Sequence, residues 1–174
     1  MKRIVGVLST GLLAGAMLFG GSSFEAHAAE NEVKPYQVVT PGLDGSHKTI
    51  GFDEKVDFEN YLKENPAPRN YEIKPLAPIH SNFYFDVDLQ GTSFSINASK
   101  PYAVTDFWGV NDTVSSILTH PYGDHTVIYE NFYGQGHALA IVNNGYYINL
   151  HNVPMGDGTR TWNDEISSAI VKSK

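Results

Sequence analysis

Two short stretches hold most of the chemistry open to this chain. Asn111-Asp112-Thr113-Val114-Ser115-Ser116 and Asn163-Asp164-Glu165-Ile166-Ser167-Ser168 share the pattern Asn-Asp-x-[Val/Ile]-Ser-Ser. Their donors are oxygens: a carboxylate, hydroxyls and backbone carbonyls within one turn. A hard cation such as calcium takes about six to eight oxygen ligands of these kinds. Asp112 or Asp164 supplies charge, the carbonyl of Thr113 or Glu165 a dipole, and Ser115 or Ser167 a hydroxyl. One carboxylate per loop is a low charge count, so affinity is expected at about 10⁻⁵–10⁻³ M, the range of an extracellular module. The bland alternative is that Asn, Asp and Ser only bond their own backbone in turns. Repetition weighs against it. Each copy follows a tryptophan (Trp108, Trp162) and runs into an apolar tail, the mark of an internal duplication.

The elements that must place these loops are strands. Phe83 to Leu89 alternates, Gln90-Gly91 turns it, and Thr92 to Ile96 alternates again, which predicts a β-hairpin. The second half repeats the arrangement: Thr126–Asn131, a turn over Tyr133-Gly134-Gln135-Gly136, and a return over His137–Val142. Asn143-Asn144-Gly145 leads to one more strand at Tyr146–Leu150. With the Ser-Ser-apolar segments as last strands, each repeat has four. The expected class is all-β, two sheets packed face to face.

The stretches Phe83-Tyr84-Phe85-Asp86-Val87-Asp88-Leu89-Gln90-Gly91 and Ile128-Tyr129-Glu130-Asn131-Phe132-Tyr133-Gly134-Gln135-Gly136 resemble the hairpin motif that opens each βγ-crystallin Greek key. An aromatic (Tyr84, Tyr129) stands seven residues ahead of a glycine (Gly91, Gly136) that needs positive φ. The Asn-Asp-x-x-Ser-Ser segments resemble the microbial βγ-crystallin calcium motif. The resemblance covers residues 82–172, with Greek key 1 over 82–119 and Greek key 2 over 126–172. It implies a double Greek key sandwich with two calcium ions, each held by both motifs. One site would take the Thr113 carbonyl, Ser115 hydroxyl, Glu130 carbonyl and Asp164 carboxylate. The other would take the Glu165 carbonyl, Ser167 hydroxyl, Phe85 carbonyl and Asp112 carboxylate. Asn111, Ser116, Asn163 and Ser168 would shape the loops. Two departures stand out. The family's usual aromatic two residues before the glycine is Leu89 in one copy and Gly134 in the other, so Phe132 or Tyr133 would serve through a shorter or shifted hairpin. The second repeat is also longer, and its extra residues are expected in a mobile loop at Pro154–Thr159.

The rest of the chain sets limits. Residues 1–28 read as a secretory signal peptide: Lys2 and Arg3, an apolar run from Ile4 to Phe19, and a small-x-small site at Ala26-His27-Ala28. Its removal leaves 146 of 174 residues and, with Lys2, Arg3 and Glu25 gone, takes the formal charge from −7 to −8. That acidity suits cations and argues against nucleic acid or an anionic membrane as partner. There is no Cys, so an exported domain must rely on its core or on a metal. Residues 29–80 read as an N-terminal extension. Residues 29–51 are expected as a flexible lead-in with little packing. A helix follows over about residues 53–64, capped by Asp53, with Val56, Tyr61 and Leu62 as its apolar stripe.

Other residues draw weaker readings. His120, His125, His137 and His151 lack zinc spacing and are expected at or near the surface. Ser115 or Ser167 as nucleophile would need a nucleophile turn that the sequence does not offer, so the chain reads as no enzyme. Trp108 and Trp162 are expected in core or corner packing. The expectation is thus a secreted, monomeric calcium-binding module. The alternatives are a peptidase inhibitor, which the resemblance permits, and a module binding cell-wall or carbohydrate surfaces through exposed tyrosines.

Overall fold

The structure, a computed structural model, describes residues 33–68, 78–98 and 102–174. The expected signal peptide lies outside them. In chain order the strands are β1 (Tyr36–Pro41), β2 (His47–Phe52), β3 (His80–Tyr84), β4 (Ser93–Asn97), β5 (Thr105–Asp106), β6 (Ser116–Leu118), β7 (Gly123–Asn131), β8 (Gln135–Val142), β9 (Tyr147–Asn149) and β10 (Ser168–Ser173). One helix, α1 (Lys55–Glu64), falls between β2 and β3.

Two sheets form, in the orders β2-β1-β8-β7-β10-β5 and β4-β3-β6-β9. The four strands of the first repeat are β3 to β6, and those of the second are β7 to β10. In each repeat the first strand is flanked by the second and fourth, while the third crosses to the other sheet. Thus β5 pairs with β10 and β9 with β6. This is a double Greek key with exchanged strands, as the resemblance implied.

The two hairpins are equivalent turn for turn. Asp88 and Leu89 have φ 54° and 60°; Tyr133 and Gly134 have 61° and 68°; Gly91 and Gly136 have 74° and 76°. No shift or shortening separates the copies. Leu89 and Gly134 occupy a left-handed position that Gly takes freely and Leu at a cost. A Cβ at Gly136 would also stand 2.8 Å from Glu130 Oε2, so the turn closes only on glycine.

The lead-in expectation is overturned. Residues 36–52 form the β1–β2 hairpin, and β1 runs parallel to β8 in register from Tyr36↔Ala138 to Val39↔Ile141. Sheet pairing holds what its polar flanks suggested would be loose. The helix is present, but Glu54 is its N-cap residue, without a side-chain capping bond, and Asp53 pairs instead with Lys34 Nζ at 3.0 Å. Its buried face is Phe58 and Leu62, whereas Val56 is 59 % exposed.

These N-terminal elements explain why β7 and β8 read as nearly unbroken apolar runs. Ile128, Leu139 and Ile141 face the inter-sheet core with Phe83, Ile117 and Ile148. Val127, Tyr129, Ala138, Ala140 and Val142 face outward and are buried under Phe58, Leu62 and Ala67. Strands covered on both faces lose the alternation of a half-exposed sheet. Burial, with a lesser contribution from Glu59, pushes the Tyr129 hydroxyl up to about 12. The Ala67 N–H donates to Asp124 Oδ1 at 2.7 Å, fastening the segment after α1 to β7.

Candidate metal centre

Each motif forms a corner just before its last strand. Its fourth residue anchors it: Val114 and Ile166 are fully buried in the inter-sheet core. Asp112 and Asp164 take left-handed φ of 55° and 56°, which Asp tolerates better than most residues. Asn111 Nδ2 donates to Asp112 Oδ2 at 2.9 Å, and Asn163 Nδ2 to Asp164 Oδ2 at 2.7 Å. One carboxylate oxygen of each Asp is thereby steadied by its neighbour.

The corners clasp one another. Asp112 N–H donates to the Ile166 carbonyl at 3.0 Å, and Asp164 N–H to the Val114 carbonyl at 3.1 Å. The aspartate of each motif therefore lies at the other motif's serine. At the first corner the contact is direct, with Ser115 Oγ donating to Asp164 Oδ1 at 3.1 Å. At the second, the bond from Asp112 to Ile166 brings Asp112 to within one residue of Ser167. The two serines are buried while both aspartates reach the surface.

The second serine of each motif is a clasp on its own hairpin. Ser116 Oγ donates to the Asp86 carbonyl at 2.7 Å and accepts from Leu89 N–H at 3.1 Å. Ser168 Oγ does the same to the Asn131 carbonyl at 2.7 Å and from Gly134 N–H at 3.2 Å.

The hairpin partners are arranged differently from the expected pairing. Ser115 N–H donates to the Tyr84 carbonyl at 2.9 Å, which sets Phe85 beside Ser115. Ser167 N–H donates to the Tyr129 carbonyl at 3.1 Å, which sets Glu130 beside Ser167. So the first corner gathers Phe85, Thr113, Ser115 and Asp164, and the second gathers Glu130, Glu165, Ser167 and Asp112. The reason is topological. The last strand of each repeat lies against its own first strand, and only the third strand is exchanged.

Three contributors carry no signal in the motif. Asn149 and Asp106, at the ends of the exchanged strands, cap the opposite hairpins: Asp88 N–H donates to Asn149 Oδ1 at 2.8 Å and Tyr133 N–H to Asp106 Oδ1 at 2.7 Å. Arg160 binds Glu165 at 2.9 Å, Glu130 at 2.8 Å, and Asp157. Glu130 also meets the His137 ring at 2.7 Å. Burial would raise the Glu130 carboxyl, but the hydrogen bonds from His137 and Arg160 hold it below its ordinary value. The expected mobile loop is tied down. Met155 is fully buried, its N–H donates to the Arg160 carbonyl at 2.9 Å, and the Pro154 carbonyl accepts from Gln37 at 2.8 Å.

The tryptophans divide. Trp162 is fully buried, as expected, but Trp108 is 66 % exposed and stacks on Phe132 at 4.3 Å beside the 67 % exposed Tyr133. His125 is buried rather than near the surface. Among the described residues no three His, Cys, Asp or Glu side chains converge as a metal cluster. A corner built from carbonyls, one hydroxyl and one carboxylate is a different donor set, of the kind hard cations take.

No family model and no curated protein matches the chain. Among solved structures, a domain from work on the evolution of the eye lens βγ-crystallin fold is 26 % identical, covering 60 % of this chain and 95 % of its own, with a TM-score of 0.44. A βγ-crystallin from Ciona intestinalis is 21 % identical, with coverage of 55 % and 99 % and a TM-score of 0.39. A double mutant of a βγ-crystallin domain from Clostridium beijerinckii is 20 % identical, with 55 % and 98 % and a TM-score of 0.40. The chain is similar to these βγ-crystallin domains, and its fold is the double Greek key.

Proposed function

We propose that this is an exported calcium-binding protein in which two ions, one per corner, stabilise the sandwich. The observation that carries the reading is the approach of Ser115 Oγ to Asp164 Oδ1 across two repeats, at 3.1 Å. Oxygens at such a separation can share one cation with ligand distances of about 2.3–2.6 Å. In this reading the carbonyls of Phe85 and Thr113 at the first corner, and of Glu130 and Glu165 at the second, complete the sets, with water filling the remainder. When bound, the ion supplies a cross-link between the corners. The chain's residues orient it: Asn111 and Asn163 steady the aspartates, and Ser116 and Ser168 fix the hairpins. Isothermal titration with calcium on the protein and on Ser115→Arg and Ser167→Arg tests the reading. Each variant should lose mainly one binding event, and a calcium-silent parent protein would refute it. Export rests on residues 1–28 and is checked by mass spectrometry of the protein from culture medium.

The Trp108–Phe132 stack favours a second reading, adhesion to cell-wall glycan through a solvent-facing aromatic surface. Pull-down on peptidoglycan, repeated with Trp108→Ala, tests it; equal retention of both proteins would sink it.

A further inference from the structure

The two corners differ in charge. At the second, Glu130 and Glu165 stand where the first has Phe85 and Thr113. Both carboxylates are bound by the Arg160 guanidinium, at 2.8 Å and 2.9 Å, and Asp157 holds the same guanidinium from the other side. Arg160 sits three residues ahead of Asn163; the residue three ahead of Asn111 is the neutral Trp108. A fixed positive charge therefore lies beside the two glutamates of the second corner, where the first corner has Phe85 and Thr113.

We infer that Arg160 is a resident cation that weakens divalent-ion binding at the second corner. The inference rests on the calcium reading above. The physical grounds are twofold. A guanidinium keeps its charge at any ordinary pH and repels a divalent ion beside it. It also holds Glu130 and Glu165 on separate prongs of its fork, one hydrogen bond to each, withholding negative charge that would otherwise draw the ion in. At this range a unit charge changes the affinity for a divalent ion by about fivefold after allowing for water and salt.

The test is calcium titration by calorimetry on the full chain, on Arg160→Gln and on Arg160→Lys. Each is repeated in an Asp164→Asn background, which removes the first corner's carboxylate and keeps a residue suited to its left-handed φ. The parent should bind in two steps. Arg160→Gln should tighten one of the two steps about fivefold, leave the other unchanged, and keep its effect in the Asp164→Asn background. Arg160→Lys, which retains the charge without the fork, should stay close to the parent. Urea melts in chelator confirm that each variant is folded. Failure of Arg160→Gln to tighten either step, or a weakened step, overturns the inference, because it would mean that Arg160 is neutral or organises the ligands. A parent that binds no calcium takes down the calcium reading itself, and that result is seen before any variant is compared.

Discussion

Ser115 and Asp164 are 49 positions apart in sequence and 3.1 Å apart in space, hydroxyl to carboxylate. Each belongs to a different copy of one hexapeptide, so neither corner is complete within its own repeat. A ligand seated there would cross-link the halves. Calcium at a hundredfold excess over Kd adds about 2.7 kcal/mol per site to the folded state. Chelation should therefore lower the melting temperature by several degrees, read by circular dichroism, and an identical curve with and without chelator would rule out a structural ion.

Ser116 and Ser168 offer a metal-independent measurement. Each hydroxyl serves one carbonyl and one N–H at the base of a hairpin. Replacing either with Ala leaves those groups unpartnered, at a cost of about 1–3 kcal/mol. Urea denaturation in chelator should show similar losses for the two variants, since the clasps are equivalent. A loss at one and none at the other would contradict that equivalence.

Leu89 marks a place where one repeat is strained and the other is not. Its φ of 60° matches that of Gly134, at 68°, in the other hairpin. Leu89→Gly should stabilise the protein by about 1 kcal/mol through relief of the left-handed conformation, offset in part by glycine's greater freedom when unfolded. The converse change, Gly134→Ala, should destabilise it. Thermal melts of both variants decide the sign.

The N-terminal elements should be indispensable. A chain beginning at residue 78 would expose Val127, Tyr129, Ala138, Ala140 and Val142 together. Burial of apolar surface contributes about 25 cal/mol per Å², and an exposed sheet face invites association. The truncated protein should melt at lower temperature and self-associate in light scattering. A monomer of unchanged stability would show that the helix and first hairpin contribute little.

Asp124 supplies an acid-sensitive part of that attachment. Burial would raise its carboxyl, but the His125 ring 3.2 Å away and the hydrogen bond from the Ala67 N–H bring it below the usual carboxylate value. A depressed folded value stabilises above the unfolded pKa of about 3.9 and is lost as pH falls through the folded one. Melting temperature should therefore drop more steeply in acid for the parent than for Asp124→Asn, which can still accept from Ala67. Parallel curves down to pH 2 would remove Asp124 from the account.

Much of this was legible in the sequence because it is written in short-range signals. Alternation marks the first hairpin, apolar runs about a glycine-bearing turn mark the second, and the repeated hexapeptide marks both corners. What escaped depends on distant partners. Tyr36–Pro41 carries two valines and a threonine, yet nothing local says that it will lie parallel to β8 a hundred residues later. The pairing of Phe85 with Ser115, rather than with Ser167, follows from which strand is exchanged, and no residue records that choice. Arg160 is three positions from a motif it does not belong to, at the end of a loop whose composition suggested mobility. Trp108 and Trp162 look alike in sequence, but Trp162 is covered by the core while Trp108 stands exposed against Phe132 and Tyr133.

The crossing of β5 and β9 reaches back to the origin of such a molecule. Either half alone would present a three-stranded sheet lacking its outermost neighbour, and would carry a stray segment with nowhere to lie. A second copy offers both what is missing and a berth for what is spare. An ancestor one repeat long could have stood as a pair before its gene was doubled, and the two halves expressed separately should still find each other.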